Sequence, residues 1–409
     1  MGGFHEDTVR SRAQDSRALD YLLVTEVFPP AIGGSGVLLA NVYSRVRNGR
    51  VTALVDESIC GGDTRREGPI SIVPARIGPH SWGLFDPRRW PSQLHLARTI
   101  YRFASHGRAI VHCGRAQPEA VPAWLASLVP NGPQYIFWAH GEDIAAAMSS
   151  RQFAATMRLV YGRASAAIAN CENTAQMINA VGWLDGEAQV VYPGVDGDRF
   201  HPAADDGSLR RRLAPGGELV LLSVSRLQKR KGHALVIKAL AALSRQLDGI
   251  RYVIVGDGGE RHSLQRLASE LCLEGIIQFE GEVPDSALPA YFAACDVFVL
   301  PTHVEPYDFE GFGIVYLEAA AAGKPAVGGR NGGVPEAIAE DETGVLVSGD
   351  DVDELGRALK ALCESEELRL RLGRAARVRV LRDFTWERAA AAVTRIHDDV
   401  IDRTDARGR

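Results

Sequence analysis

The chain has few of the features that mark membrane, metal-binding or disulfide-rich proteins. None of its apolar runs approaches the roughly 18 residues that a membrane-spanning helix needs, so no transmembrane segment is predicted. Its six cysteines show no C-x-x-C spacing, which argues against a metal site or a disulfide framework and is typical of a reducing cytosol. Lysine occurs at only five positions among 46 basic residues, so arginine is abundant and a single arginine carries little information.

Neither sign of charge dominates. The net charge of −5 at pH 7 gives no reason to expect nucleic acid as a partner. Hydrophobic residues make up 46% and charged residues 24%, as in an ordinary globular protein. Residues 1–18 are polar and lack the apolar core of a signal peptide, so a disordered tail and a cytoplasmic location are expected.

Short apolar runs alternate with helical patterns along the whole chain. Near-continuous runs such as Val253–Val255 indicate strands buried on both faces, as in parallel sheets. The first series of predicted strands is 21–25, 51–55, 70–74, 109–112, 135–139, 166–169 and 189–192. The second series is 219–224, 251–255, 276–279, 297–300, 326–328 and 344–347. Between the two series, residues 193–215 are rich in proline and glycine and read as a linker.

The predicted fold class is therefore α/β, with two doubly wound Rossmann-like domains that face each other across a cleft. A length of 409 residues supports two domains, because single cores rarely grow beyond ~250–300 residues. We place the N-terminal domain at residues 19–196 and the C-terminal domain at 197–385. Residues 386–409 are predicted to form a helix that packs back toward the first domain.

Two carboxylates bracket the turn that follows the predicted strand 297–300. Glu310 and Glu318 are eight residues apart, with Gly311, Phe312 and Gly313 between them and an alanine run behind. The glycines leave backbone N–H groups open, and a helix start adds roughly half a positive charge, which suits a phosphorylated ligand. Carboxylates on either side suit sugar hydroxyls. Taken alone, the pair has an ordinary explanation too: Glu310 as a solvated loop residue and Glu318 as a charge in the first turn of a helix.

Three further residues lie at predicted strand ends. Arg226 and Lys231 are five apart in a basic turn and are able to clamp a diphosphate, although charge runs are commonly just solvated turns. His140 follows the strand 135–139 beside a glycine and is expected to point into the cleft, although a lone histidine is more often structural.

Several glycine turns also follow predicted strands. Gly33 and Gly34 precede a helix, Gly256 begins a Gly-Asp-Gly-Gly turn, and Gly332–Gly333 follow the strand 326–328. Each of these turns lets a ligand approach the backbone closely, or is an ordinary turn. The first is not G-x-G-x-x-G, so the dinucleotide fingerprint is not met.

The order and spacing of these motifs resemble the retaining glycosyltransferases of family 4, which have the two-domain GT-B fold. The resemblance runs from Tyr21 to about Asp398. The segments that carry it are IGGSG at 32–36, HGED at 140–143, YPGVDGDRFHP at 192–202, SRLQKRKG at 225–232, GDGGER at 256–261, GEVPDSALPAYFAACDVFVLP at 281–301, EPYDFEGFGIVYLEAAAAGKP at 305–325 and GGVPEAI at 332–338. One departure is Cys171, where relatives commonly carry serine.

The resemblance implies a role for each candidate site residue. Those that bind the donor nucleotide sugar would be Gly33, Gly34, Arg226, Lys231, Gly256, Val283, Glu310, Gly311, Phe312, Gly313 and Glu318. Within that set, Arg226 and Lys231 would hold the diphosphate, Glu310 the sugar hydroxyls and Glu318 the ribose. The catalytic group would be His140, Arg226, Lys231 and Glu310, and the first domain would bind the acceptor.

The resemblance further implies transfer of a hexose with retention, by front-face attack. A nucleotide diphosphate is a good leaving group, so no glycosidase-like carboxylate pair is needed. We expect no cofactor and no metal, because Arg226 and Lys231 replace a cation and Asp196-Gly197-Asp198 lies in the linker. Alternatives on the same fold are a sugar-nucleotide epimerase and a non-catalytic nucleotide-sugar-binding protein.

The substrates stay open at this stage. The donor base is UDP, GDP or ADP, and the acceptor is a saccharide, a lipid-linked glycan or a small-molecule aglycone. Residues 80–90 combine three aromatics with two arginines, a composition that suits sugar stacking, peripheral contact with the inner membrane face or local packing. The oligomeric state is not indicated.

Overall fold

The computed structural model describes residues 20–30, 33–61, 63–77, 90–104, 109–244, 249–306 and 308–407. The predicted tail at 1–18 and most of the aromatic and basic segment at 80–90 lie outside these residues. Within the described residues, no helix is long and apolar enough to cross a membrane.

The first domain is built on a sheet of eight strands in the described residues, in the order β3-β4-β2-β1-β5-β6-β7-β8. All neighbours are parallel except β3 and β4. The strands are β1 (Asp20–Thr25), β2 (Val51–Asp56), β3 (Arg65–Glu67), β4 (Ile70–Ala75), β5 (Ala109–Cys113), β6 (Tyr135–Ala139), β7 (Ala166–Ala169) and β8 (Gln189–Val190). The helices are α1 (Gly34–Tyr43), α2 (Glu57–Cys60), α3 (Trp90–Ala104), α4 (Ala120–Ser127), α5 (Glu142–Met148), α6 (Arg151–Tyr161) and α7 (Glu172–Val181).

The second domain is built on a parallel sheet of six strands, again counting described residues, in the order β11-β10-β9-β12-β13-β14. These strands are β9 (Leu219–Val224), β10 (Ile250–Val255), β11 (Ile277–Gly281), β12 (Val297–Leu300), β13 (Ala326–Gly329) and β14 (Gly344–Val347). The helices are α8 (Ser208–Leu213), α9 (His233–Leu243), α10 (Arg261–Glu270), α11 (Leu288–Ala294), α12 (Ile314–Ala321), α13 (Val334–Ala337), α14 (Val352–Glu364), α15 (Glu366–Asp383) and α16 (Trp386–Arg407).

Each sheet has a hydrophobic core on both faces because successive strand residues point to opposite sides. In β1, Leu22 and Val24 join one core, whereas Tyr21 and Leu23 join the other. The prediction of an α/β fold with two doubly wound domains is confirmed. The core that holds Tyr21 also contains residues of α16 from Trp386 to Val400, so this last helix lies on the first domain.

Strand β3 and helix α15 are among the elements that were not predicted, and the strand predicted at 189–192 is shorter than predicted. All three residues of β3 are exposed and charged, so the strand carries no apolar alternation. The arginine-rich α15 likewise shows little separation of polar and apolar residues. The seventh predicted strand ends at Val190 rather than at residue 192, just before Pro193, which lacks the N–H that a strand ladder needs.

Candidate active site

The two domains meet where the carboxyl ends of their strands face each other. Gly311 lies between β12 and α12, and a Cβ added to it would be 2.4 Å from the carbonyl oxygen of His140, which follows β6. A Cβ on Gly34, at the start of α1, would be 3.8 Å from Cδ1 of Ile314. The structure therefore brings together the predicted first-domain residues His140 and Gly34 and the predicted turn 310–313.

Glu310 is held by two cations from the basic turn after β9. The ammonium group of Lys231 and the Nη1 of Arg230, at 3.1 Å, both donate to Oε2 of Glu310. The side chains of Arg230, Lys231 and Glu310 are 6%, 11% and 12% exposed. Burial by itself raises the pKa of Glu310, but Lys231 and Arg230 outweigh that effect and hold its pKa below the ordinary value. Glu310 is therefore ionised at neutral pH.

Arg230 is a site residue that sequence reasoning missed. Besides its bond to Glu310, its Nε lies 2.8 Å from Oδ1 of Asp308. Burial lowers the pKa of Arg230, yet Glu310 and Asp308 raise it above the ordinary value. In a turn with four basic residues out of six, spacing alone does not show that Arg230 is one of the two buried ones. The acidic pair Asp308 and Glu310 eighty residues on was the only available signal.

Arg226 occupies a different environment from its neighbours in the turn. It is exposed, and no hydrogen bond or ion pair of its side chain occurs within the described ranges. Burial lowers the pKa of Lys231, and the nearby charge of Arg226 adds to this effect, whereas Glu310 opposes it. Arg226 and Lys231 therefore lie near enough for the charge of Arg226 to act on Lys231.

Backbone N–H groups are available at the start of α12. The N–H groups of Gly311, Phe312 and Gly313 donate no hydrogen bond among the residues that the structure describes. Gly313 has φ +86°, a left-handed conformation that favours glycine. Successive unpaired N–H groups leading into a helix form a concave anion site, which the helix dipole reinforces.

Glu318 lies one turn further along α12, beside the loop that follows β11. Burial raises its pKa to about 7, while Arg199 lowers it and Asp285 raises it. Arg199 in turn pairs with Asp285 at 2.6 Å. Asp285 follows Val283 by two residues, so Glu318 lies near the segment that carries Val283.

His140 is buried and neutral. Its Nε2 lies 2.9 Å from the carbonyl oxygen of Gly114 and donates to it, so that the Nδ1 nitrogen carries the lone pair. Burial lowers its pKa, with Asp143 opposing. The backbone N–H of His140 donates to Oδ1 of Asp143 at 3.1 Å, which fixes the turn into α5.

The other glycines and the D-x-D sequence have local explanations. A Cβ on Gly256 would be 2.0 Å from the carbonyl oxygen of Ser225, so this glycine allows close packing against the basic turn. Oδ1 of Asp196 accepts from the N–H groups of Asp198 and Arg199 at 3.0 Å, as in an ordinary turn. Among the described residues, no group of three or more His, Cys, Asp or Glu is arranged to hold a metal ion.

Two further contacts join the domains beside this site. The carboxylate of Glu336, on α13, accepts from the N–H groups of Glu172 and Asn173 at 2.7 and 2.9 Å and so caps α7 of the first domain. The thiol of Cys171 donates to the carbonyl oxygen of Gly311 at 3.2 Å. Burial raises the pKa of Cys171 to about 11, so it stays a thiol and caps α7 as a serine would.

Comparisons with known proteins show which family the chain resembles. Residues 32–199 match the family model described as Glycosyltransferase Family 4, and residues 207–379 match the one described as Glycosyl transferases group 1. The chain is 31% identical over 375 residues to a GDP-mannose-dependent alpha-(1-6)-phosphatidylinositol monomannoside mannosyltransferase from Mycobacterium tuberculosis. That match covers 90% of this chain and 96% of the relative.

Solved structures agree with the fold. Sucrose-phosphate synthase from Thermosynechococcus elongatus superposes with a TM-score of 0.77 at 19% identity, covering 94% of this chain and 100% of that one. Anabaena HepE in complex with UDP and glucose superposes with a TM-score of 0.76 at 20% identity, covering 93% of this chain and 100% of that one.

Proposed function

Since the chain belongs to glycosyltransferase family 4 and is a nucleotide-sugar hexosyltransferase, we propose that its donor is GDP-mannose and that it transfers mannose, with retention, to an acceptor hydroxyl. The proposal of this donor is supported by the mycobacterial mannosyltransferase, which is similar over nearly the whole chain.

The single observation that carries the chemistry is the pairing of Glu310 with Lys231 and Arg230 beside the open N–H groups of Gly311 and Phe312. Charge develops on the leaving diphosphate as the glycosidic bond breaks, and preorganised cations and N–H donors stabilise such charge. We assign the diphosphate to Arg226, Lys231 and these N–H groups. The ionised Glu310 accepts hydrogen bonds from sugar hydroxyls.

The nucleoside belongs beside Glu318 and Val283. Glu318, whose pKa is about 7, accepts hydrogen bonds from the two ribose hydroxyls in its ionised form. Backbone groups near Val283 read the base. Gly256 supports the basic turn from below, and Gly33 and Gly34 approach the phosphates from the first domain when the cleft closes.

Retention requires that the acceptor attack the same face of the sugar from which the nucleotide departs. The departing phosphate oxygen takes the acceptor's proton, so that no separate base is required. The neutral imidazole of His140 stands on the first-domain side of this step and bonds a donor hydroxyl. Domain closure holds the two substrates together and excludes water. Neither a metal nor a cofactor takes part in this proposal.

We also propose peripheral contact with the inner face of the membrane, where lipid-linked acceptors reside. Helix α3 supports this because it exposes Trp90, Leu94 and Phe103 at 37%, 41% and 47%, together with the exposed Arg98. Aromatic and basic side chains on one helix favour an anionic surface. Sedimentation with anionic vesicles at low and high salt checks this, and absence of binding at low salt contradicts it.

The donor is tested by thermal shift with GDP, UDP and ADP in the presence of EDTA, followed by GDP-mannose turnover. Selective stabilisation by GDP is expected, and a ligand at about 100 times its Kd adds ~2.7 kcal/mol. Stabilisation by UDP alone overturns the donor assignment, and an EDTA-sensitive rate overturns metal independence. Conversion of the donor sugar without acceptor would instead indicate the epimerase alternative, and binding without turnover a non-catalytic protein.

A further inference from the structure

The first domain contains a buried polar cluster that the assignments above do not use. Glu26 follows β1, and Arg115, Gln117 and Glu119 follow β5, the neighbouring strand. Arg115 Nη1 lies 2.9 Å from Glu26 Oε1, and Glu119 Oε1 accepts from the backbone N–H of Glu26 at 3.0 Å. Gln117 and Glu119 are 2% and 0% exposed.

Part of this cluster's hydrogen-bonding capacity is unused. Across the described part of the chain, buried side-chain atoms without a partner include both Nε2 and Oε1 of Gln117 and Oε2 of Glu119. A buried polar group left unpaired costs about 1–3 kcal/mol, and native interiors avoid it. An amide with neither end bonded therefore calls for a partner with hydroxyl groups.

The cluster is buried at the carboxyl edge of the first sheet, the edge that faces the cleft. Strands β1, β5 and β6 are neighbours, so the cluster sits between the glycine turn after β1 and His140 after β6. His140 donates to the carbonyl oxygen of Gly114, the residue before Arg115. Since the backbone of His140 also touches Gly311 of the second domain, the cluster borders the reacting end of the donor from the acceptor side.

The charge of the cluster selects among acceptors. Four carboxyl groups, those of Glu26, Glu119, Glu142 and Asp143, act on the guanidinium of Arg115, and Glu142 also acts on Arg230. Burial and the charge of Glu26 raise the pKa of Glu119 to about 8, so its carboxyl group carries a proton at neutral pH. A neutral carboxyl group and an amide both donate and accept hydrogen bonds, which suits hydroxyls. With Glu119 protonated, three other acidic groups still surround Arg115, and this excess disfavours a phosphate.

Resting on the transferase function proposed above, we propose that Gln117 and Glu119 bind hydroxyl groups of the acceptor, and that the acceptor presents a polyhydroxylated end without a phosphate. The proposed acceptor end is therefore a glycan or a polyol and not a phosphorylated sugar or cyclitol.

Matched acceptor pairs test the substrate class. With GDP-mannose or whichever nucleotide sugar proves to be the donor, wild type is assayed on mannose and mannose 6-phosphate, and on myo-inositol and its monophosphate. The phosphate-free member of each pair is expected to have at least tenfold higher kcat/KM. Preference for a phosphorylated member overturns the proposal, and so does absence of transfer to every phosphate-free member by protein that binds the donor. Failure to bind any nucleotide sugar would instead overturn the donor assignment.

The substitution Gln117→Leu tests whether Gln117 binds the acceptor. Leucine fills the space and removes two unpaired atoms, so a purely structural role predicts equal or higher stability and an unchanged acceptor KM. The proposal predicts an acceptor KM raised at least tenfold, with donor KM and the nucleotide thermal shift unchanged. Gln117→Met serves if the leucine variant does not fold. Tyr161→Phe, which removes another buried unpaired hydroxyl, is the matched control and should leave the acceptor KM unchanged.

Discussion

Two buried carboxyl groups on opposite sides of the cleft have pKa values shifted in opposite directions. Glu310, in the second domain, bonds Lys231 and Arg230, and these cations hold its pKa below the ordinary value. Glu119, in the first domain, is buried beside Glu26, with Arg115 as its cation, and its pKa rises to about 8. Burial acts alike on both, so the number and sign of neighbouring charges decide the protonation state.

The two sides of the cleft therefore differ in the kind of ligand that they suit. The second domain presents an ionised acid among cations and open N–H groups, an arrangement suited to a diphosphate and its sugar. The first domain presents neutral hydrogen-bonding groups with an acidic surplus, which suits an uncharged polyol. Removing single members of each cluster tests this contrast.

Among the substitutions, the largest expected effect is the loss of stability in Arg230→Met. The change leaves Glu310 buried with one cation instead of two, and breaking a buried pair commonly costs about 3–5 kcal/mol. We expect about 3 kcal/mol, because Lys231 still compensates Glu310. Urea denaturation measures it, with Arg226→Met as the control, since Arg226 is exposed and makes no ion pair among the described residues. Equal loss in both variants would contradict the assignment of Arg230.

Turnover tests the two cations assigned to the diphosphate, Lys231 and Arg226. Lys231→Met is expected to lower kcat about 10²-fold, in the range for removing one transition-state donor, and Arg226→Ala to lower it about tenfold. Both variants should keep the wild-type circular dichroism spectrum. Lys238→Ala, at an exposed position on α9, is the control. Unchanged turnover in both Arg226→Ala and Lys231→Met would refute the clamp.

The pH dependence of stability probes the protonation of Glu119 in the first domain. The pKa of Glu119 rises from 4.5 to about 8 on folding, so the folded state binds the extra proton and stability falls as pH rises between these values. The slope is at most about 1.4 kcal/mol per pH unit. Glu119→Gln, which mimics the protonated acid and keeps an acceptor for the N–H of Glu26, should lose less stability than wild type between pH 5 and 8. Parallel curves from urea denaturation would contradict the raised pKa.

Much of the second domain could be predicted because its signals are local. The strand 297–300, Glu310 and the turn glycines lie in one short stretch of sequence, and Gly313 has the positive φ that its place before α12 demands. Apolar runs marked nearly every strand, since strands buried on both faces have few polar residues. The edge strand β3 was not predicted because its residues are exposed on both faces.

The partners of the site residues were harder to infer. Arg230 stands between two other cations, and only the folded turn shows that it is buried like Lys231, whereas Lys229 is exposed. Gln117 and Glu119 resemble ordinary loop residues in the sequence, because an unpaired amide becomes visible only when the surrounding atoms are known. Glu336 caps a helix of the other domain, a contact that spans more than 160 residues.

The sequence by itself determined the fold class, the two-domain division of the sheets and the segments that line the cleft, because periodicity, turn glycines and motif order are properties of neighbouring residues. Only the tertiary structure decided which cations hold Glu310, which carboxylate keeps its proton and which amide lacks a partner. These depend on burial and on charges brought together from distant segments, and both exist only after the chain has folded.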